Sequence, residues 1–242
     1  MRQGGALGVI LARAGSKGLP NKNSMKIAGK PMLAWTIEHA LASSQIKRVM
    51  VTTDGEELAQ IAGKYDVEVV RRPAELASDT ATVDAAARHA VNQVVDTHEH
   101  ICLLYGNVPV RPNDLSDRAI DMLCETNADS VQSVCPVGKN HPYWMKTVDP
   151  DTGKLGMVQD NQVYRRQELP PVYMLDGGVI ALTRSSLFSL IEGQPHAFLG
   201  GDRRAVVTEP GDVVDIDTKE DFATAEAILE ERLENGTIRA VG

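Results

Sequence analysis

Apolar residues in this chain fall into short solid runs, separated by stretches in which they recur every three or four positions. Ala6-Ala12 (ALGVILA) is such a run and predicts a strand buried on both faces. Pro31 opens a helical pattern with Leu33, Ile37, Ala40 and Leu41 on one face. Arg48-Thr53 reads as a second strand. Asp54 is placed to cap the next helix, with Glu57 at the capping-box position and an end near Lys64. Val67-Val70 predicts a third strand, Arg71-Thr80 a loop, and Ala81-Val95 a helix. Ile101-Tyr105 and Ser130-Pro136 predict strands on either side of a helix at Pro112-Glu125.

Strands alternating with helices of this length imply βαβ units, hence an α/β fold with a mostly parallel sheet and helices on both faces. Ligands of such sheets sit outside the carboxyl ends of the strands. That rule lines up Arg13-Asn23, Asp54, Arg71-Thr80 and Tyr105-Arg111 along one edge. The rhythm breaks after Lys139. His141-Pro171 holds four prolines, a turn-like Asp149-Pro150-Asp151-Thr152-Gly153 and few apolar residues. It reads as an arm inserted at about 139–172 in a single domain spanning 1–242. Tyr143, Trp144 and Tyr164 on this arm suit a subunit interface, and a homodimer is expected. Val179-Leu182, Ala205-Thr208 and Val213-Ile216 predict further strands, and Thr218-Leu233 a closing helix.

Charge sharpens this picture. The chain has 242 residues and a net charge of −8, which argues against a nucleic-acid binder with a broad basic face. From Met1 to Ile37 there is no acidic residue, whereas Glu209-Asn235 carries ten carboxylates against Lys219 and Arg232. A basic beginning and an acidic end could hold a polyanion and a cation respectively. No window holds 18 uncharged apolar residues, so no membrane span is expected. The apolar run at the N-terminus is too short for a signal-peptide core. Three scattered cysteines, an odd count, argue against a disulfide framework and suit a reducing cytoplasm.

The loop Arg13-Ala14-Gly15-Ser16-Lys17-Gly18-Leu19-Pro20-Asn21-Lys22-Asn23 concentrates chemistry. Gly15 and Gly18 allow positive-φ geometry that lets backbone N–H groups converge on phosphate oxygens. Arg13 offers a planar fork and Lys17 and Lys22 point charges, a combination suited to a triphosphate. Asn23 offers a donor and an acceptor for a base or ribose edge. The chain has no Gly-x-x-x-x-Gly-Lys-Ser/Thr and no Gly-x-Gly-x-x-Gly after its first strand, which excludes the two commonest phosphate loops.

This stretch, with Leu11-Ala12 before it, resembles the signature of the acylneuraminate cytidylyltransferases. Val51-Thr52-Thr53-Asp54-Gly55, Arg71-Arg72-Pro73-Ala74-Glu75-Leu76-Ala77-Ser78-Asp79-Thr80-Ala81 and Asp215-Ile216-Asp217-Thr218 resemble further segments of that family, in order along the chain. The resemblance implies a Rossmann-like nucleotidyltransferase (GT-A-like) sheet and a dimer. It implies an enzyme that uses CTP and Mg²⁺, joins CMP to a hydroxyl of an acidic sugar and releases pyrophosphate. It places Arg13, Lys17 and Lys22 in catalysis, and Ala12, Gly15, Ser16, Asn23, Arg72, Ala81 and Thr82 around the nucleotide. Around the acceptor it places Tyr105, Asn107, Arg111, Arg166, Gln167 and Asp176.

Asp215 and Asp217 stand two apart at the end of an apolar run, and strand alternation puts both on one side. Like charges so placed repel, and a divalent cation removes the penalty. Mg²⁺ favours one or two carboxylates completed by water and phosphate. Asp217 or Thr218 could also cap the last helix, with Glu220 and Asp221 in its first turn. The acceptor side departs from the family. Tyr105 stands where the family carries glutamine, and Asp176 where a neutral or basic group is usual. A sialic-acid-like sugar, Kdo, a pseudaminic- or legionaminic-type sugar and a phosphonate stay open as acceptors. So does a non-catalytic nucleotide-sugar binding module.

Overall fold

The structure is a computed structural model and describes residues 5–15, 18–95 and 98–238. In chain order the strands are β1 (Ala6–Leu11), β2 (Lys26–Ile27), β3 (Lys30–Pro31), β4 (Ile46–Thr53), β5 (Glu68–Arg71), β6 (His100–Tyr105), β7 (Ser130–Pro136), β8 (Lys146–Val148), β9 (Leu155–Met157), β10 (Tyr173–Thr183) and β11 (Arg203–Val207). The helices are α1 (Met32–Ala42), α2 (Glu56–Gly63), α3 (Val83–Asn92), α4 (Leu115–Thr126), α5 (Arg184–Leu187) and α6 (Lys219–Glu234).

Seven strands form one sheet in the order β11-β7-β10-β6-β1-β4-β5. β1 lies parallel to β4 and β6, β4 to β5, and β7 to β11. β10 runs against both of its neighbours, β6 and β7. The fully buried β1 shows why its run is continuous. Ile10 packs with Leu33, Ile37 and Leu58 on the α1–α2–α4 side. Leu7 and Val9 pack with Ala87, Ala90 and Val91 of α3 on the other. Both faces need apolar side chains, so none of its six residues is polar.

A third, smaller cluster draws on both ends of the sequence. Leu19, Ile27, Met32 and Trp35 from the first quarter of the chain pack with Ile216, Ala225 and Leu229 from the last. Each large side chain buried there contributes about 1.5–3 kcal/mol. That packing ties the basic beginning of the chain to its acidic end.

Three local expectations fail for identifiable reasons. Asp54 does not cap α2; Gly55 takes that place, and the Asp54 carboxylate accepts from the Ala14 N–H at 2.8 Å. Val213-Ile216 forms no strand but a single bridge, Val110 to Val214, because the segment beside it contains Pro109, which has no N–H to extend a ladder. β10 begins at Tyr173 rather than Val179; Asp176, Gly177 and Gly178 form a bulge that interrupts its pairing with β7 between Leu175 and Ile180. Within 139–172, β8 and β9 make a two-stranded hairpin whose turn is fixed by the Asp149 carboxylate on the N–H groups of Asp151 and Thr152.

Candidate active site

The carboxyl ends of β1, β4, β5 and β6 open onto a cavity of about 270 Å³. Arg13, Lys22 and Asn23 line it from the first loop, Arg72, Ala81 and Thr82 from the third, and Tyr105 and Asn107 from the fourth. Eight predicted residues thus meet in one place. Ala12 lies fully buried at the end of β1 behind them. Ser16 and Lys17 lie outside the described residues.

The cavity is cationic by construction. Arg72 is tied to the end of β4: its N–H donates to the Thr53 carbonyl at 2.8 Å and its guanidinium to the Thr52 carbonyl at 2.9 Å. Burial pulls its pKa down, the like charge of Arg13 adds to that, and Asp54 opposes it. Arg13 pairs with Asp79 at 2.9 Å. No residue pattern singles out Asp79, although it lies in the segment carrying the family likeness. Asn23 is buried; its amide donates to the Arg13 carbonyl at 2.9 Å, and its Oδ1 has no partner among the described residues. A buried carbonyl oxygen left open at a cavity wall is suited to a ligand N–H.

The acidic segment closes against this loop. Lys22 donates to an Asp217 carboxylate oxygen at 2.6 Å and to the Ile216 carbonyl at 2.9 Å. Asn107 donates to the Asp215 carboxylate and, at 3.2 Å, to the Ile216 carbonyl. Gly18 is required by proximity, since a Cβ there would lie 2.5 Å from the Asp217 carbonyl oxygen. Gly15 does not use the positive φ expected of it; among the described residues of this loop that conformation belongs to Asn21, at 55°. Thr218 caps α6 in a capping box with Asp221, which leaves the Asp217 side chain to Lys22.

Asp215 stays accessible at the cleft edge, yet the protein packed around it raises its pKa to about 6, with the Asp217 charge adding to the effect. Tyr105 is pushed up too, by burial first and then by Asp215. A carboxylate pair that repels in this way fits a divalent cation. Among the described residues no group of three or more His, Cys, Asp or Glu could hold a metal. A cation held by this pair alone would have to draw its remaining ligands from water and phosphate, as Mg²⁺ can.

Two predicted acceptor residues turn out to be scaffolding. Arg111 is almost fully buried, and its guanidinium donates to the Gly178 carbonyl at 2.6 Å, the Tyr105 carbonyl at 2.9 Å, the Thr36 hydroxyl at 3.0 Å and the Val108 carbonyl. Four of its five N–H donors are spent on the scaffold. Asp176 accepts from Ser133, from the Gly178 N–H at 2.9 Å and from the Thr208 hydroxyl at 2.7 Å, so its charge pins the β10 bulge. That bulge sets Gly177, at φ 76°, beside the Asp215 carboxylate. Arg166 and Gln167 sit exposed on a single 3₁₀ turn of the arm and do not line the cavity.

A family model described as Cytidylyltransferase matches residues 7–193. The N-acylneuraminate cytidylyltransferase of Streptococcus agalactiae serotype V is 30% identical over 216 residues, 88% of this chain and 51% of that protein. This chain thus spans about half the length of that relative. The CMP-N,N'-diacetyllegionaminic acid synthase of Legionella pneumophila is 30% identical over 237 residues, covering 93% of this chain and 96% of that protein. Among solved structures, a CMP:2-keto-3-deoxy-manno-octonic acid synthetase complexed with CTP superposes with a TM-score of 0.72 at 19% identity, over 95% of this chain and all of that one. With eight predicted residues gathered at one sheet edge and a family model covering most of the sequence, this chain belongs to the cytidylyltransferase family.

Proposed function

We propose that this protein transfers CMP from CTP to a hydroxyl of an acidic, sialic-acid-like sugar and releases pyrophosphate, with Mg²⁺ as its cofactor. The observation that carries this reading is the Lys22–Asp217 contact, which joins the basic loop to the acidic pair at the mouth of the cavity. The relatives named for sialic and legionaminic acids support the acceptor class.

In this reading the acceptor hydroxyl loses its proton and attacks the α-phosphorus. A new oxygen–phosphorus bond forms, and the bond to the bridging α–β oxygen breaks. Arg13, Lys22 and, by resemblance, Ser16 and Lys17 hold the triphosphate and take up the charge that grows on the leaving group. Asn23 and Arg72, with Ala81 and Thr82, embrace the nucleoside. Tyr105 and Asn107 meet the acceptor side. Asp215 and Asp217 would hold Mg²⁺, which would neutralise phosphate charge. Positioning supplies much of the rate.

Acceptor choice follows from what the structure leaves free. With Arg111 and Asp176 committed to the scaffold, neither a lost cation nor an added acid shapes the acceptor pocket as the sequence suggests. Asp176 keeps its carboxylate on Ser133, Gly178 and Thr208 and does not line the cavity, so an anionic acceptor there would not meet it directly. Homodimerisation through the arm is part of the proposal, supported by exposed apolar side chains at Val148, Leu155 and Tyr164 on the arm and at Leu175 beside its base. Pyrophosphate release from CTP with N-acetylneuraminate, a legionaminic-type sugar, Kdo and an aminoalkyl phosphonate tests the reading. Turnover with the first two is expected to exceed the others. No release with any of them, with Mg²⁺ present, would overturn it.

A further inference from the structure

A second cavity, of about 330 Å³, lies apart from the nucleotide cleft, between α1, α6 and the loop that follows β6. It shares no lining residue with the cleft. Trp35, Leu229 and Ile238 give it an apolar wall, and Arg111 and Arg232 a cationic one.

Carboxylates act on those two guanidiniums only from a distance. The four hydrogen bonds of the Arg111 guanidinium all go to neutral oxygens. Arg232 is half-buried and donates to the Arg111 carbonyl at 2.7 Å. Among the described residues neither forms an ion pair with a carboxylate. Glu38 also faces the cavity, but Lys30 and the Tyr65 hydroxyl hold its carboxylate. His39, the remaining titratable group on the wall, is kept neutral by burial and by the Arg111 charge. Burial pulls Arg111 down to about 10 and lowers Arg232; Asp215 and Asp176 oppose this at Arg111, and Asp212 and Glu231 at Arg232, without reversing it.

We propose that this cavity binds a small organic carboxylate with an apolar body, its acid group on Arg232 and its body against Trp35, Leu229 and Ile238. A cation is disfavoured by the two guanidiniums. A bare phosphate would leave the apolar wall uncovered. The guanidinium fork matches a carboxylate in two parallel hydrogen bonds. The occupant would lie one hydrogen bond from Arg111, which holds the carbonyls of Tyr105 and Val108 on either side of Asn107. It would therefore act on the loop that carries Tyr105 and Asn107 into the cleft, whatever reaction the cleft performs.

The test is thermal unfolding and calorimetric titration of the full chain without nucleotide, using phenylacetate, its neutral isostere phenylacetamide and inorganic phosphate. Saturating phenylacetate is expected to raise Tm by about 3 °C or more, and the other two by less than a third of that. Arg232→Met is expected to weaken phenylacetate at least ~10-fold, because it removes the charged fork. Ala42→Trp, on the exposed rim, fills the space and leaves Arg232 intact; it too is expected to abolish binding, which keeps the test decisive if Arg232→Met fails to fold. CTP should not displace the acid. The proposal falls if no saturable binding occurs up to about 20 mM, below which even weak specific binding is detectable. It falls equally if the amide or phosphate matches phenylacetate, if CTP competes, or if Ala42→Trp binds as wild type does.

Discussion

The cleft rim and the arm use charge in opposite ways. Around the cleft, charged side chains reach far along the chain: Lys22 meets Asp217, and Asn107 meets Asp215. On the arm they bond close by: Asp149 with Asp151 and Thr152, Arg165 with Glu168. A long-range charged contact needs both partners held by packing, and the third apolar cluster supplies that around Leu19 and Ile216. The arm has hairpin hydrogen bonds and apolar side chains facing outward. Rigid preorganisation is therefore concentrated where a triphosphate would need it, and the arm leaves its apolar surface unburied within the subunit.

The largest effect should come from breaking the long-range contact. Lys22→Ala and Asp217→Ala are each expected to lower turnover by ~10²–10³ at saturating CTP and Mg²⁺, the usual cost of one charge-stabilising donor. The comparison fails if both stay within about threefold of wild type, a margin far below that cost. Lys17→Ala, by the family likeness, is expected to fall in the same range.

Arg111 sharpens the line between chemistry and scaffold. Removing it leaves the Gly178 carbonyl without its guanidinium donor and takes one of two donors from the Val108 carbonyl. Arg111→Met is expected to cost about 3 kcal/mol of stability, the range for leaving buried polar groups unmatched. Its residual folded fraction should keep the wild-type KM for the acceptor. A raised acceptor KM without loss of Tm would return Arg111 to the acceptor site.

That contrast also marks how much of the molecule is legible in its sequence. Apolar runs give the core strands; Ser130-Pro136, which mixes Val131, Val134 and Cys135 with polar residues, is also right to the residue, closed by Pro136. The nucleotide side is legible because its residues lie in a few loops at the carboxyl ends of neighbouring strands. Arg111 and Asp176 are misread because their partners, Thr36, Gly178, Ser133 and Thr208, lie 32 or more residues away or are backbone atoms. An arginine beside a sugar and one propping up a loop look the same in one dimension. Gly18 stands out in the sequence for its freedom of φ, but its requirement is the closeness of Asp217, which no local pattern records.

A smaller effect concerns pH. Burial, then the Arg111 charge, depresses His39 in the fold to about 3, while its Nε2 meets the Ser116 hydroxyl at 2.8 Å. Between pH 6.5 and 3 the unfolded chain therefore binds the proton that the folded chain refuses. Stability rises with pH across that window and is lost on acidification, by about 2 kcal/mol at pH 5. His39→Gln is expected to flatten this limb relative to wild type, measured by urea unfolding at pH 7 and pH 5. An unchanged slope would mean that His39 titrates normally in the fold.

The smallest effect on the fold, and the clearest on assembly, belongs to the arm. Leu155 is 65% exposed on β9 and packs into no core cluster among the described residues. A lysine there loses no burial within the subunit, so unfolding measured at dilutions where subunits separate should change by less than about 0.5 kcal/mol. In a dimer whose interface includes β8 and β9, the same lysine sets a charge in the apolar contact and is expected to shift the molecule to monomer by light scattering. A wild-type protein that is already monomeric at high concentration would remove the arm's role in pairing. The outward apolar side chains would then need another partner, while the cleft, built within one chain, would keep its geometry.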